Sequence, residues 1–541
     1  MKHVTRRFAL GGMGSLAGLA GLGGIAPRAL VSRAGAAGIV YHRGNSADPE
    51  TLDQHKTSTV SEDHILRDLY EGLVAYDAKG NLVPGAAESW SMSPDGLLYT
   101  FRLRPDARWS NGDPVRSNDF VYSFRRIMMP ATGAKYASVL YPIRNARAVN
   151  TGARKPEELG VRAADDRVIE ISLEAPTAYF LELLTHQTGF PVHPASVEKF
   201  GADFTRPGNM VSNGAYTLAE FRPNAHIRVV RNPHFHDARN VRIDSVYFYP
   251  TEDESAALRR FLAGELDSND SIPTEQAKYI RRTLGDQLHV VPQLGTYYYA
   301  FNLRKPPFGD VRVRQALSMA IDREFLAEET WAGTMVPAYS LVPPGTGRYG
   351  EPSAVAWREL AQLDREDKAR QLLQEAGFGP DRPLRLEIRY NTSDNHKNTA
   401  LAIADMWKTL GVEATLINAD TPTHYALLRD KGDFDVARAS WLADYNDAQN
   451  FLFLLESDNT GLNYGTYANP EYDGLMHAAA AEVDIEKRAE LLHRAEAIAM
   501  RDQPLVPILH YSSKDLVSRR VEGWADNVQG VHPSRHMTIR P

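Results

Sequence analysis

Residues 435–447 read Asp-Val-Ala-Arg-Ala-Ser-Trp-Leu-Ala-Asp-Tyr-Asn-Asp, an apolar run that ends in a tryptophan and then an acid. If the run is a buried strand, Asp444 at its end stays charged only where a cation or several donors meet it. The competing reading is a turn or helix N-cap, since Asn446 and Asp447 follow. Arg438 lies in the same run. Its guanidinium fork suits a ligand carboxylate or a structural salt bridge. His234-Phe-His236 sets two imidazoles on one face of a strand, but no third metal ligand is evident, and 17 histidines make one such pair expected by chance. There is no His-Glu-x-x-His, no Gly-x-Ser-x-Gly and no P-loop. The pattern therefore points to binding without catalysis, metal or cofactor.

A chain of 541 residues is too long for one core, so two or three lobes are expected. Hydrophobic residues make up 43% and charged residues 24%, ordinary for a soluble globular protein. The formal net charge is −7, and residues 1–36 hold Lys2, Arg6, Arg7, Arg28 and Arg33 with no acid, so the remainder is more acidic still. That balance argues against a nucleic-acid partner, which needs a basic face. Arg6-Arg7 ahead of a weakly apolar, glycine-rich stretch and Ala34-Gly35-Ala36 resembles a cleaved twin-arginine export signal. The chain has no cysteine, hence no disulfide, no reactive thiol and no lipid-bearing thiol. No later apolar run reaches the roughly 18 residues that span a bilayer. A soluble periplasmic protein is expected.

Mixed α and β elements must carry these residues. Leu98–Arg104 alternates as a strand, with Tyr99, Phe101 and Leu103 on one face. Val161–Ala163 and Val168–Leu173 flank Asp165-Asp166-Arg167 as a hairpin. His226–Arg231 and Val246–Tyr249 read as further strands. Ile403, Met406, Trp407 and Leu410 form one helical face that Gly411 ends, before a strand over Val412–Ile417. A second helix is expected over Glu486–Met500, with Pro504 closing it.

The Trp441-x-Ala443-Asp444-Tyr445 stretch closely resembles a segment of the periplasmic oligopeptide-binding proteins, the peptide-type solute-binding proteins that feed ABC importers. Other matching segments are Leu52-Asp53-x-His55-Lys56, Arg67-Asp68-Leu69-Tyr70-Glu71-Gly72-Leu73, Pro84-Gly85-x-Ala87-Glu88-x-Trp90 and Trp109-Ser110-Asn111-Gly112. Asn213-Gly214-Ala215-Tyr216, Arg231-Asn232-Pro233, Thr296-Tyr297-Tyr298-Tyr299 and Asp310-Val311-Arg312-Val313-Arg314 follow in the same order. The resemblance spans about residues 40–520. It implies an α/β fold, a two-lobed clamp with an extra inserted domain. Transferred here, lobe I is 37–71, 196–294 and 512–541, the inserted domain is 72–195, and the second lobe is 295–511. It also implies a monomeric receptor, not an enzyme, that holds a peptide between lobes as an added strand and hands it to membrane permease subunits.

By the same resemblance, Asp444 grips the ligand's α-ammonium group. Arg429, Arg438 and His396 match positions that meet ligand carboxylates. Val60, Tyr136 and Tyr298 match positions that supply backbone bonds or aromatic wall, and Trp441 joins them. Core packing explains such aromatics equally well. Ser58, Gln293, Ala300, Trp331 and Pro422 depart from the family's usual residues, as does the segment 265–270. The end-clamps persist while the side-chain pockets are rebuilt, which suggests a restricted set of short ligands. Muropeptides and opine-like conjugates are alternatives, because related receptors carry them. Nickel and haem carriers share the fold, but retention of Asp444 and both arginines argues against those cargoes.

Overall fold

The computed structural model describes residues 38–57, 59–459 and 461–540. The expected export signal and Ser58 lie outside the described residues. Three large sheets organise the rest. A seven-stranded mixed sheet contains Val40–Gly44, Tyr216–Arg222, His226–Arg231, Ser245–Tyr249, Ser268–Asn269, Leu288–His289 and Asp515–Val517. A four-stranded antiparallel sheet contains Ala87–Met92, Leu98–Leu103, Val161–Asp165 and Val168–Ser172. A six-stranded mixed sheet contains Pro292–Phe301, Met335–Pro337, Arg385–Asn391, Glu413–Ala419, Val436–Leu442 and Leu505–Ser512.

Two large apolar cores follow from these sheets. One runs without a break from Tyr41 and Tyr216 of the first sheet to Phe101 and Ile169 of the second. The other belongs to the six-stranded sheet and holds Tyr297, Trp407, Val436 and Val506. The chain crosses between the cores twice, side by side. Leu288–His289 pairs antiparallel with Asp515–Val517, Ser513 N donates to Val291 O at 2.9 Å, and Pro292 lies opposite Ser512. A two-stranded ribbon therefore carries both connections, the kind of element that absorbs a hinge motion.

Local patterns account for the elements. Leu98–Leu103 buries Tyr99, Phe101 and Leu103 on one face, as its alternation requires. The helix Asp394–Lys408 buries Ile403 and Trp407, and Trp407 Nε1 donates to Leu317 O at 2.8 Å. Truncating such a tryptophan costs about 3–5 kcal/mol. Gly411, at φ 78°, breaks the chain from the helix before the strand Glu413–Ala419. The last long helix, Ile485–Asp502, runs two residues past its expected end because Gln503 adopts φ 44° and its N–H caps Ala499 O.

The helix Val60–Leu69 positions one wall of the cleft described below. Thr59 Oγ1 accepts from Glu62 N, and Glu62 Oε2 accepts from Thr59 N at 3.0 Å, a reciprocal cap that fixes Val60 as the first helical residue. At its other end Gly214 N donates to Leu69 O at 2.8 Å. A Cβ on Gly214 would stand 2.6 Å from the Leu69–Tyr70 peptide group, so only glycine allows this approach.

Candidate functional site

The strand Val436–Leu442 builds the centre of the site. Its first four residues are buried, and it emerges at Leu442, which is 60% exposed. On one side it pairs antiparallel with Pro292–Phe301 from end to end, whereas on the other Arg385–Asn391 meets only Val436 and Ala437. Ala443 N donates to Leu294 O at 2.8 Å, so the odd-numbered residues point their backbone groups at Pro292–Phe301. Alternation turns the even ones the other way. Arg438 O there accepts from His424 Nε2 at 2.8 Å. Ser440 and Leu442 thus present N–H and C=O to an edge that no strand covers, a template for an extended ligand.

Asp444 stands just beyond this edge. It borders a cavity of about 330 Å³ together with Val60, Tyr136, Glu182, His186 and Tyr445. Val60 is 70% and Tyr136 38% exposed, both open to this space. Asp444 makes no hydrogen bond or ion pair among the described residues, and surrounding protein raises its carboxyl above the ordinary range. The sequence led us to expect a buried carboxylate. The structure instead leaves Asp444 exposed, because pairing with the strand Pro292–Phe301 ends at Ala443.

Arg438 occupies the other end of the edge. It is only 4% exposed, and its guanidinium lies 4.7 Å from the centre of the Tyr297 ring. Its N–H groups donate to Asn391 Oδ1, Tyr425 OH, Ser440 Oγ and Tyr511 OH at 2.9–3.1 Å. No carboxylate lies within ion-pair reach among the described residues. Burial disfavours its charge, but the hydroxyls of Tyr297, Tyr511 and Tyr425 more than offset this, and it remains a cation. His396 lies beside Tyr297, with ring centres 5.5 Å apart. Burial, then the charge of Arg438, pushes its pKa down to about 3, so it is a neutral imidazole here.

The remaining expected residues lie elsewhere. Tyr298, 2% exposed, is on the opposite face of its strand from Arg438 and borders a small internal cavity with Leu454 and Tyr464. Trp441 shares that face, donates Nε1 to Asn450 Oδ1 at 2.7 Å and meets the Phe453 ring edge-on. Arg429 is exposed in the last turn of the helix Thr421–Arg429. Trp331, expected to trim a side-chain pocket, is buried against Tyr297 and donates Nε1 to Thr399 Oγ1 at 3.0 Å. Ala300 is also buried, beside Tyr298. His234 and His236 do not converge: His236 bonds Glu71 Oε2 at 2.8 Å, while His234 lies beside Gly112.

Sequence reasoning missed Tyr297, although pairing of Tyr299 with Arg438 puts Tyr297 and Tyr299 on the arginine's face. It also missed Glu182, Tyr179 and His186, which come from a short irregular stretch with no periodic signal.

The family described as bacterial extracellular solute-binding proteins, family 5 Middle, matches residues 81–463. The periplasmic murein peptide-binding protein MppA of Escherichia coli (strain K12) is 40% identical over 496 residues, covering 91% of each chain. The periplasmic oligopeptide-binding protein OppA of the same organism is 39% identical over 497 residues, covering 91% of this chain and 90% of that one. An unliganded open form of the murein tripeptide binding protein MppA superposes with a TM-score of 0.88 at 39% identity, over 93% of this chain and 97% of that one. The architecture is therefore the two-lobed α/β clamp of these neighbours.

Proposed function

The chain belongs to the bacterial extracellular solute-binding proteins of family 5, and from that premise we propose that it is a periplasmic receptor for peptides or peptide-like ligands, delivering them to an ABC importer. The family consists of solute-binding proteins, not enzymes. The observation that carries the reading is the pair of uncompensated groups at the two ends of one free strand edge. Among the described residues Asp444 meets no cation and Arg438 no anion. Six residues separate them, roughly 20 Å of extended chain. The reach of the arginine side chain shortens that gap to the span of a short peptide. Such a ligand would add a strand at Ser440 and Leu442, place its ammonium at Asp444 and its carboxylate at Arg438, with Val60 and Tyr136 as the facing wall. Arg429 and His396 are reserved for longer ligands; Tyr298 and Trp441 support the strand from behind.

In this reading residues 1–36 are a twin-arginine signal that is removed on export. Lobe I is 37–71, 196–294 and 512–541, the inserted domain 72–195 and the second lobe 295–511. The protein acts as a monomer that closes about the ribbon at 288–292 and 512–517 and docks on permease subunits. Likeness to a murein peptide-binding protein favours a modified peptide as cargo over a wide range of plain ones. Calorimetry of trialanine and N-acetyl-trialanine tests the clamp. Acetylation is expected to weaken binding at least about 30-fold, the low end for truncating a desolvated ion pair. Equal binding of both removes the ammonium from the reading.

A further inference from the structure

One acid in the cleft has no counterpart among the groups that hold a peptide's two ends. Glu182 comes from the helix Phe180–Leu183, far in sequence from Asp444, yet both carboxylates border the same cavity. The link between them is a ring stack. Tyr179, three residues before Glu182, lies face to face with Tyr445, the neighbour of Asp444, at 4.4 Å and 7°. The stack therefore fixes the Glu182 segment against the Asp444 loop. Tyr76 OH donates to Glu182 Oε2 at 2.6 Å, and Oε1 makes no hydrogen bond among the described residues.

No cation forms an ion pair with Glu182 among the described residues. The field of Arg348 reaches it, but the two form no ion pair. Arg67, also at the cavity, is taken by Asp63 at 2.5 Å, and Arg488 by Asp447 at 2.8 Å. Burial, opposed by Tyr76 and Arg348, raises the Glu182 carboxyl to about 6. Two carboxylates on one cavity, neither in an ion pair among the described residues, make that cavity favour cations. A ligand with a single ammonium satisfies Asp444 and leaves Glu182 with the Tyr76 hydroxyl alone when the lobes close.

We propose that Glu182 is a specificity-determining residue that selects ligands bearing a second cationic group close to the α-ammonium, as in a lysine or diamino acid at the first or second position. The inference rests on the cleft reading above and names the ligand class that reading leaves open. It also gives a physical origin for selectivity. Backbone pairing along the strand edge accepts any side chain, whereas a half-buried carboxylate with one oxygen free rewards one charge type and rejects acidic side chains.

Calorimetry of Lys-Ala-Ala and Ala-Lys-Ala against their norleucine counterparts, which keep the length and lose the charge, tests this on the native protein. Trialanine serves as the common reference. At least one lysine peptide is expected to bind tenfold or more tightly than its norleucine match, and Glu182→Gln is expected to abolish that preference. A preference below tenfold for both pairs overturns the inference, as does a preference that persists in Glu182→Gln. If trialanine binds and no lysine preference exists, only this inference falls. If none of the five peptides binds, this inference falls together with the plain-peptide form of the receptor reading. Should Glu182→Gln not fold, the lysine-to-norleucine ratio of the native protein decides alone.

Discussion

At the scale of single residues, the two ends of the strand edge behave differently when mutated. Asp444 is exposed and makes no hydrogen bond or ion pair among the described residues, so Asp444→Ala is expected to leave the urea midpoint of the unliganded protein unchanged. Closure desolvates the ligand ammonium, and its loss of partner is expected to cost about 2–5 kcal/mol in calorimetry. An affinity loss below threefold would remove Asp444 from the site. Arg438 is a buried cation whose charge the surrounding hydroxyls more than compensate, and losing it removes a hydrogen-bond partner from each of Asn391, Tyr425, Ser440 and Tyr511. Arg438→Met is therefore expected to lower the urea midpoint of the unliganded protein, while affinity for a tripeptide with a free carboxylate falls as well. A lowered urea midpoint with intact affinity would make Arg438 a structural residue. Trp331 packs in the interior against Tyr297. A lysine there would bury an ammonium against Tyr297 in place of the Trp331–Thr399 hydrogen bond.

At the scale of elements, the cleft depends on the helix Val60–Leu69, which is capped at one end and pressed by Gly214 at the other. Gly214→Ala forces a methyl into the Leu69–Tyr70 backbone. It is expected to destabilise by about 1–3 kcal/mol in urea titration. Because Val60 starts the same helix, peptide affinity is expected to fall as well. A fully stable Gly214→Ala protein would contradict the close approach. Elements of this kind were largely legible in the sequence. The alternation of Leu98–Leu103, the hairpin about Asp166-Arg167 and the face through Ile403 and Trp407 follow from periodicity and turn chemistry, which are local. The site was legible in part. Asp444 stood out as an acid after an apolar strand. Its exposure did not, because where the strand leaves its sheet depends on how far pairing with the distant strand Pro292–Phe301 continues. Tyr298 and Trp441 were read as wall, but strand alternation turns both towards the core of the six-stranded sheet. Glu182 carried no signal, since contacts distant in sequence, the Tyr179–Tyr445 stack and the Tyr76 hydroxyl, hold it at the cavity.

At the scale of the whole molecule, buried histidines set the acid limit of stability. Burial holds His55, His186, His396, His424, His510, His532 and His536 at about 3 or 4, below the ordinary 6.5. Each contributes stability that is present above pH 6.5 and is lost as pH falls towards its folded value. Five buried acids oppose this: Asp68 and Glu182 at about 6, and Glu456, Glu496 and Asp515 at about 7. Their raised values favour the folded state on acidification, fully so only below the ordinary carboxylate range. The two sets nearly cancel near pH 7, and below 6.5 the more numerous histidines dominate. Urea titrations of the unliganded protein are expected to show a flat region near pH 7 and a decline from about 6.5 downward. A rise in stability between pH 6.5 and 5 would contradict the buried neutral imidazoles. The central claim remains the cargo, and native mass spectrometry of the protein purified gently from periplasm tests it most directly. The account predicts a co-purified species of short-peptide mass that carries a primary amine and a free carboxylate. A metal ion, a haem, or a ligand without a primary amine would contradict it.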